Sequence, residues 1–196
     1  IHRRVPVRRI NVATYQAVSG AGRRAMEELG LQTAAKLNFQ EPEVRALSAP
    51  IAFNVIPRID VLEPSGYTRE ELKMHHETRK ILGDETIGVN ATCVRVPVFY
   101  GHSEALHLET AAPVDVKQVR DWLAAAEGVR LLEGDQDPMP LVHASGHDEV
   151  FVGRIRRDLT HSCGIDLWVV SDNLRKGAAL NAIQIAEHLA QRRSQA

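Results

Sequence analysis

Two strand-like segments joined by a turn constrain the fold of this chain most strongly. Residues 86–98 are rich in β-branched side chains, and residues 103–109 alternate as the two faces of a strand do. Pro97 and Gly101 lie near the junction, and both residues favour the end of a strand and a turn. If the chain turns there, Arg95 and His102 can face each other across a hairpin. Otherwise they are a surface arginine and a partly exposed turn histidine.

Strand-like and helix-like patterns alternate along the rest of the chain. Apolar, β-branched or alternating segments predict further strands at residues 9–14, 51–56, 129–132, 149–157 and 165–170. Capping residues and glycines predict helices from after Gly22 to Gly30, Thr68 to about Leu82, Asp115 to Gly128, and Ser171 to near the end. Residues 31–50 are predicted to be an irregular connection. This order indicates an α+β domain, with a mixed sheet and helices mainly on one face.

The composition excludes several classes of protein. Of the 196 residues, 44% are hydrophobic and 25% are charged, which suits one globular domain with one core. The net charge is −1 with acids and bases interspersed, so no nucleic-acid partner is expected. No apolar run reaches the roughly 18 residues of a membrane span. The two cysteines have no disulfide-like spacing, which favours the reducing cytoplasm.

Four side chains have chemistry that suits a small polar substrate. The guanidinium of Arg95 can bind a carboxylate or phosphate through two parallel hydrogen bonds, and His102 can act as an acid or base near neutral pH. Glu70 and Lys73 are three residues apart on the helix after Thr68, so they share one face and can clamp a polar ligand. The alternative for this pair is a solvated ion pair worth less than about 1 kcal/mol.

Small residues and histidines offer weaker signals. Gln16 and the sequence Ser19-Gly20-Ala21-Gly22 lead into a helix, where exposed backbone N–H groups suit a phosphate or a cofactor; a simple strand-to-helix turn is the alternative. His75 and His76 point about 100° apart on a helix, which prevents them from sharing one ion. His143 and His147 flank a loop without an evident third ligand. No metal site is therefore predicted.

Six phrases of the sequence together resemble one enzyme family. They are INVATYQAVSGAG, IAFNVIPRID, YTREELKMHHETRKILG, TCVRVPVFYGHSEA, DEVFVGRIRRD and DNLRKGAALNAIQIAEHL. In this order, and over nearly the whole chain, they resemble bacterial aspartate-semialdehyde dehydrogenases. The resemblance implies a C-terminal domain like that of glyceraldehyde-phosphate dehydrogenase. Residues 1–172 would form the catalytic and dimerisation domain, and residues 173–196 a helix that belongs to the nucleotide-binding domain.

The resemblance also implies a reaction and roles for individual residues. The family carries out the NADP-dependent reductive dephosphorylation of aspartyl phosphate to aspartate semialdehyde, in the cytoplasm, as a homodimer, for lysine, threonine and methionine biosynthesis. His102 matches the acid and base, Arg95 the carboxylate-binding arginine and Gln16 the substrate-orienting glutamine. The other matches are Glu70 at the amine, Lys73 at the phosphate, and Ser19, Gly20 and Asn173 near the cofactor. With these matches, the facing arrangement of Arg95 and His102 becomes the prediction.

The sequence departs from the family pattern at the nucleophile. The family uses a cysteine in an Asn-rich turn, and neither Cys93 nor Cys163 matches it. The chain also opens at Ile1 rather than at an initiator methionine. We expect a C-terminal half that is inactive alone, with its last helix docked on a neighbour, shifted or frayed. The alternatives are a non-catalytic paralogue or dimerisation module, and a related N-acetyl-glutamyl-phosphate reductase.

Overall fold

The structure, a computed structural model, describes residues 1–194. Six strands form one sheet: β1 (Val7–Gln16), β2 (Gly88–Arg95), β3 (His102–Thr110), β4 (Val129–Leu131), β5 (Val150–Arg157) and β6 (Gly164–Ser171). The helices are α1 (Arg23–Leu37), α2 (Arg69–Leu82), α3 (Val116–Ala124) and α4 (Leu180–Ser194). Shorter turns of helix occupy Val18–Ala21, Pro140–Ala144 and Arg175–Ala179.

The sheet is mixed, as the sequence predicts. The strand order is β2-β1-β3-β6-β5-β4, with parallel pairing for β1 with β2 and for β4 with β5, and antiparallel pairing elsewhere. Strand β1 is therefore central to its half of the sheet, and β2 is an edge strand. In the register of β1 with β2, Gln16 pairs with Arg95. Two of the predicted site residues are therefore the last residues of neighbouring parallel strands.

The main core lies between one face of the sheet and α3. Alternate residues of β3 and β6 point to this face, because Leu108 pairs with Ile165 and Leu106 with Leu167. Helix α3 contributes Val119, which is fully buried. The cluster consists of Val7, Leu108, Val114, Val119, Val152, Ile155, Ile165 and Leu167.

The opposite face of the sheet is open over its central strands. Ala13 of β1 pairs with Ala105 of β3 on this face, and both are only partly buried. Tyr15 is 39% exposed there and packs against Trp168 with ring centroids 5.4 Å apart. Within residues 1–194, no helix packs extensively against β1 or β3 from this side. The domain thus has one covered and one largely uncovered sheet face.

Two predicted boundaries near the N-terminus are wrong for one shared reason. Helix α1 does not stop at Gly30 but continues to Leu37, and residues 51–56 form no strand apart from one bridge between Ile56 and Arg95. The buried amide of Gln32 accepts hydrogen bonds from the N–H groups of Ile51 (2.7 Å) and Ala52 (3.2 Å). These bonds extend the helix past its glycine and occupy backbone groups that a strand would need.

Two later segments also differ from the predicted pattern. In β5 the register shifts between Gly153 and Arg156, and Arg154 has φ of 53°, so the alternation predicted through residues 149–157 is interrupted by a bulge. Strand β6 extends to Ser171, where the sequence predicts the start of the last helix. The helical backbone begins later, and residues 195 and 196 of that predicted helix lie outside the described residues.

Helix α4 has few contacts with the rest of the described chain. Ile183, Ile185 and Leu189 are each 54–55% exposed, and none of its described residues is buried. None of the helices within residues 1–194 is long and apolar enough to cross a membrane.

Replacing either of two helix glycines with alanine should change the free energy of unfolding, in opposite directions at the two positions. Gly30→Ala should raise the free energy of unfolding by about 0.5–1 kcal/mol, because Gly30 is inside α1 and nothing lies within 4 Å of an added Cβ. The matched change Gly83→Ala should lower it by about 1 kcal/mol, because Gly83 ends α2 with φ of 67°. Urea unfolding measures both. Destabilisation by Gly30→Ala would contradict the continuous α1.

Candidate active site

Arg95 and His102 approach each other, but not across a hairpin as the sequence predicts. Arg95 ends β2 and His102 begins β3, and the central strand β1 lies between these two strands. Residues 96–101 cross over the end of β1 to reach its other side. The crossing is held by the N–H of Val18, which donates to the carbonyl of Val98 (2.8 Å).

Gly101 completes the crossing in a conformation that other residues rarely adopt. Its φ is +85°, and a Cβ there would lie 2.8 Å from the Cβ of Pro140. Its N–H donates to Oδ1 of Asn173 (2.9 Å). The turn therefore places His102 at the end of β1 and binds it to the segment that follows β6.

The backbone N–H and carbonyl groups of Ala17 join the two side chains. Nη1 of Arg95 donates to the Ala17 carbonyl oxygen (2.7 Å), and the Ala17 N–H donates to Nδ1 of His102 (3.1 Å). Because Nδ1 accepts this bond, the neutral imidazole carries its proton on Nε2. Arg95 is 7% exposed, so its guanidinium is held with one edge committed to the backbone.

The surroundings favour an uncharged His102. Burial, and next the positive charge of Arg95, lower the pKa of the imidazole to about 4, against weaker opposing effects that include Glu70. Burial also lowers the pKa of the Arg95 guanidinium. The pair thus combines a cation with a neutral hydrogen-bond donor at neutral pH.

Gln16, Glu70 and Lys73 form the second group of the site. Nε2 of Gln16 donates to Oε1 of Glu70 (3.2 Å), and Nζ of Lys73 lies 3.2 Å from Oε2 of the same carboxylate. The Glu70 side chain is 20% exposed and that of Lys73 54%. Glu70 therefore connects β1 to α2 and keeps the ammonium of Lys73 beside the site.

Ser19, Gly20 and Asn173 form the third group. The Ser19 hydroxyl donates to Oδ1 of Asn173 (3.1 Å) and accepts from its Nδ2 (3.0 Å). A Cβ on Gly20 would lie 2.9 Å from Nη1 of Arg95 and 3.2 Å from the ring of His102. The absence of a side chain at Gly20 thus allows the guanidinium and the imidazole to pack against this turn.

All eight predicted residues line one cavity of about 560 Å³. Sequence reasoning did not identify five further lining residues, Ile59, Asp60, Leu174, Gly177 and Ala178. It also missed Asp172, a buried carboxylate that accepts from the N–H groups of Leu174 (2.8 Å) and Gly146 (2.8 Å). An aspartate just before a helix is a capping signal, so this residue could have been found.

Neither cysteine of the chain lines this cavity. Cys93 is fully buried in β2, and burial raises the pKa of its thiol to about 11. Cys163 precedes Gly164, which pairs with Glu109 at the far end of β3 from His102, about 23 Å along a strand. Among residues 1–194, no three histidine, cysteine or acidic side chains are grouped to hold a metal ion.

Comparison with known proteins identifies the domain. The family described as semialdehyde dehydrogenase, dimerisation domain, matches residues 1–176. This chain belongs to the semialdehyde dehydrogenase dimerisation-domain family. Aspartate-semialdehyde dehydrogenase 2 of Vibrio cholerae is 54% identical over 189 residues, which are 96% of this chain and 56% of that relative. The chain spans about half the length of the curated relatives it matches, and it corresponds to their C-terminal half.

Solved structures of the dehydrogenases share the fold of this semialdehyde dehydrogenase domain. The crystal structure of aspartate semialdehyde dehydrogenase II from Vibrio cholerae, complexed with ASA, has a TM-score of 0.95 at 54% identity. The match covers 97% of this chain and 56% of that one. The Candida albicans aspartate semialdehyde dehydrogenase with NADP has a TM-score of 0.69 at 26% identity, over 96% and 52% of the two chains. The α+β fold, with its mixed sheet and long C-terminal helix, is thus confirmed.

The environment of His102 predicts an unusual titration. In the folded chain the imidazole should titrate near pH 4, and Arg95→Met should raise its pKa because the adjacent positive charge is removed. Since the ordinary pKa is 6.5, the unfolded chain binds this proton first, so stability should fall as the pH drops from about 6.5 to 4. NMR titration of the ring measures the pKa. A His102 pKa at or above 6.5 would contradict the burial.

Proposed function

We propose that this chain forms the substrate-binding and acid–base half of an aspartate-semialdehyde dehydrogenase. The reaction is the reductive dephosphorylation of aspartyl phosphate to aspartate semialdehyde with NADP, which would serve lysine, threonine and methionine biosynthesis in the cytoplasm. One observation carries the proposal: Arg95 and His102 bind the carbonyl oxygen and the N–H of Ala17 at a cavity that Gln16, Glu70 and Lys73 also line.

Each charged group of the substrate has a side chain of opposite charge in the cavity, supplied by Arg95, Glu70 or Lys73. One N–H of the Arg95 guanidinium is bound to Ala17, and the remaining donors are available for the substrate carboxylate. The Glu70 carboxylate suits the substrate ammonium, and the exposed Lys73 ammonium suits the phosphate. Gln16 fixes Glu70 from β1, so the clamp is held before the substrate arrives.

His102 acts on the oxygen and sulfur atoms of the reacting group. At rest it presents Nε2–H, which can donate to an oxygen on which negative charge develops. Its low pKa arises from burial and from Arg95. A substrate carboxylate on Arg95 and an anionic reacting group oppose this second cause, and so raise the pKa of His102 toward the range in which it can transfer a proton.

The rim formed by Ser19 and Asn173 fits the nicotinamide end of a dinucleotide. Its polar groups are a hydroxyl and a carboxamide that bind each other, and the small residues Gly177 and Ala178 leave space beside them. Ser19, the backbone at Gly20, and Asn173 would hold the ring. The bound cofactor supplies the hydride. Relatives include an enzyme whose structure was solved with NADP.

The nucleophilic thiol and the rest of the nucleotide site would come from another part of the enzyme. Cys93 is buried with a raised pKa, and Cys163 is remote from the cavity. A histidine cannot form the covalent acyl intermediate without a thiol. Residues 1–172 are then the catalytic and dimerisation domain, and residues 173–196 belong to the nucleotide-binding domain, which would cover the exposed apolar side chains of α4.

The uncovered sheet face is the proposed contact between two copies of the chain. Membership of this family indicates dimerisation, and the face around Ala13 and Ala105 carries small and aromatic residues against which no helix within residues 1–194 packs extensively. A dimer of this kind uses the same surface on both copies. A purely structural dimerisation module would have no use for the side chains of the cavity, which favours the enzymatic role.

The catalytic roles predict separable kinetic effects in the complete enzyme. His102→Asn should lower kcat about 100- to 10,000-fold because it removes the proton-transfer group. Arg95→Leu should mainly raise KM for aspartate semialdehyde because it removes carboxylate binding. NADPH formation and oxidation measure both. His161→Asn, on an exposed loop, is the matched control and should change neither constant. Turnover of aspartyl phosphate by residues 1–196 alone would refute the assignment of the thiol to another part.

The proposed dimer predicts that a new charge weakens self-association when it lies on the uncovered sheet face but not when it lies outside that face. Ala105→Arg should weaken self-association at least about 100-fold, because two arginines would be buried at the symmetric contact. Ala111→Arg places the same charge on an exposed bend after β3 and should leave association unchanged. Sedimentation velocity over a range of concentrations distinguishes monomer from dimer. A dimer of undiminished affinity in Ala105→Arg would exclude this face.

A further inference from the structure

Helix α2 binds the open edge of β2 with a row of side chains. Among residues 1–194, strand β2 pairs with β1 on one side, and on its other side only Arg95 is bridged, to Ile56. The backbone groups of its odd-numbered residues therefore point away from β1. Oε1 of Glu71 accepts from the N–H of Cys93 at 3.0 Å. Further along, Nδ1 of His75 donates to the carbonyl of Val89 at 2.8 Å, and Nε of Arg79 donates to that of Ile87 at 2.7 Å.

The three side chains form one stripe on the helix. Glu71, His75 and Arg79 are spaced four residues apart, so they lie above one another on a single face. Helix α2 runs antiparallel to β2, so each later turn of the helix contacts a residue of the strand that lies farther from the cavity. The Glu71 contact is thus near the cavity, and the Arg79 contact, at Ile87, is eight residues before Arg95, about 26 Å along the strand.

Glu71 makes a second bond that the other two side chains lack. Its Oε2 accepts from the N–H of Thr68 (2.7 Å), and the Thr68 hydroxyl accepts from the Glu71 N–H (3.3 Å), which completes the capping box of α2. Glu71 is 9% exposed. One buried group therefore fixes both the start of the helix and its position against the strand.

The residues on either side of these two bonds are those proposed to bind the substrate. Glu70 precedes Glu71 in α2, and Lys73 follows within the same turn. Arg95 follows Cys93 by two residues in β2. The Glu71 side chain thus links the segment proposed to bind the ammonium and phosphate groups of the substrate to the strand proposed to bind its carboxylate.

We propose that Glu71 is a positioning residue for the substrate clamp. It sets the spacing between Glu70 and Lys73 on the helix and Arg95 on the strand, and it touches neither substrate nor cofactor. The proposal rests on the proposed function of the cavity. A role limited to covering a sheet edge would make the Glu71 and Arg79 contacts equivalent, and their different distances from the cavity allow a test.

The test compares Glu71→Gln with Arg79→Met in the complete enzyme. The glutamine keeps the shape but places an NH₂ group against a backbone N–H, so one of the two bonds is lost. KM for aspartate semialdehyde and for inorganic phosphate should each rise about 10-fold, as for the loss of one charge-assisted hydrogen bond. KM for NADP should change less than about 3-fold, because Ser19 and Asn173 are held by hydrogen bonds to each other and not by Glu71. Arg79→Met should leave all three constants unchanged.

A second variant and a second measurement guard against general unfolding. Glu71→Asp keeps the charge but is too short to reach both N–H groups, so it should raise the same two KM values. Thr68→Val removes only the capping hydroxyl and should lower Tm without changing KM. Hydrogen exchange at the Cys93 or the Thr68 amide, whichever loses its bond, should accelerate in both Glu71 variants, and exchange at the Cys93 amide should be unchanged in Thr68→Val.

The possible results separate this inference from the proposed function. If the unsubstituted enzyme does not convert aspartate semialdehyde, the proposed function is wrong, and the positioning role is rejected with it. If the enzyme is active but Glu71→Gln and Arg79→Met raise the same KM values equally, Glu71 only covers the edge of the sheet. Unchanged KM values in both Glu71 variants would also overturn the positioning role.

Discussion

The backbone of Ala17, whose carbonyl oxygen accepts from a guanidinium and whose N–H donates to an imidazole, makes the interaction on which the site depends. It brings together the ends of three strands, since Arg95 ends β2, Ala17 follows β1 and His102 begins β3. It also selects the tautomer of the histidine and keeps a positive charge beside it. The positions of the two side chains, the protonation state of His102 and the order of the three strands therefore depend on one another.

The sequence predicts which residues meet but not how the chain brings them together. Arg95 and His102 lie seven residues apart with Pro97 and Gly101 near the junction, so a change of direction is a local property that composition reveals. The insertion of β1 between their strands depends on the pairing of Gln16 with Arg95. That pairing joins residues far apart in sequence, and no local pattern reports it.

The same distinction between local sequence patterns and long-range contacts explains where else the prediction and the structure agree or differ. The capping box at Thr68 and the glycine after Leu82 predict α2 closely, because helix ends are determined by a few adjacent residues. Glycine inside a helix costs about 1 kcal/mol relative to alanine. At Gly30 this cost is smaller than the stability that the hydrogen bonds of Gln32 to Ile51 and Ala52 contribute, so the helix continues. In β5 the bulge turns both Val152 and Ile155 toward the core, a demand of packing rather than of alternation.

The position of β1 in the sheet has a consequence for the order in which the domain is made. Its partners in β2 follow it by 79 residues, from Arg9 to Gly88, and those in β3 by still more. Closing a chain segment of this length loses entropy before any ladder bond compensates for it, which slows folding. Within this domain, β1 leaves the ribosome before β2 and β3 and must remain unpaired until residues 88–95 have followed it. During that interval its apolar side chains are available to chaperones.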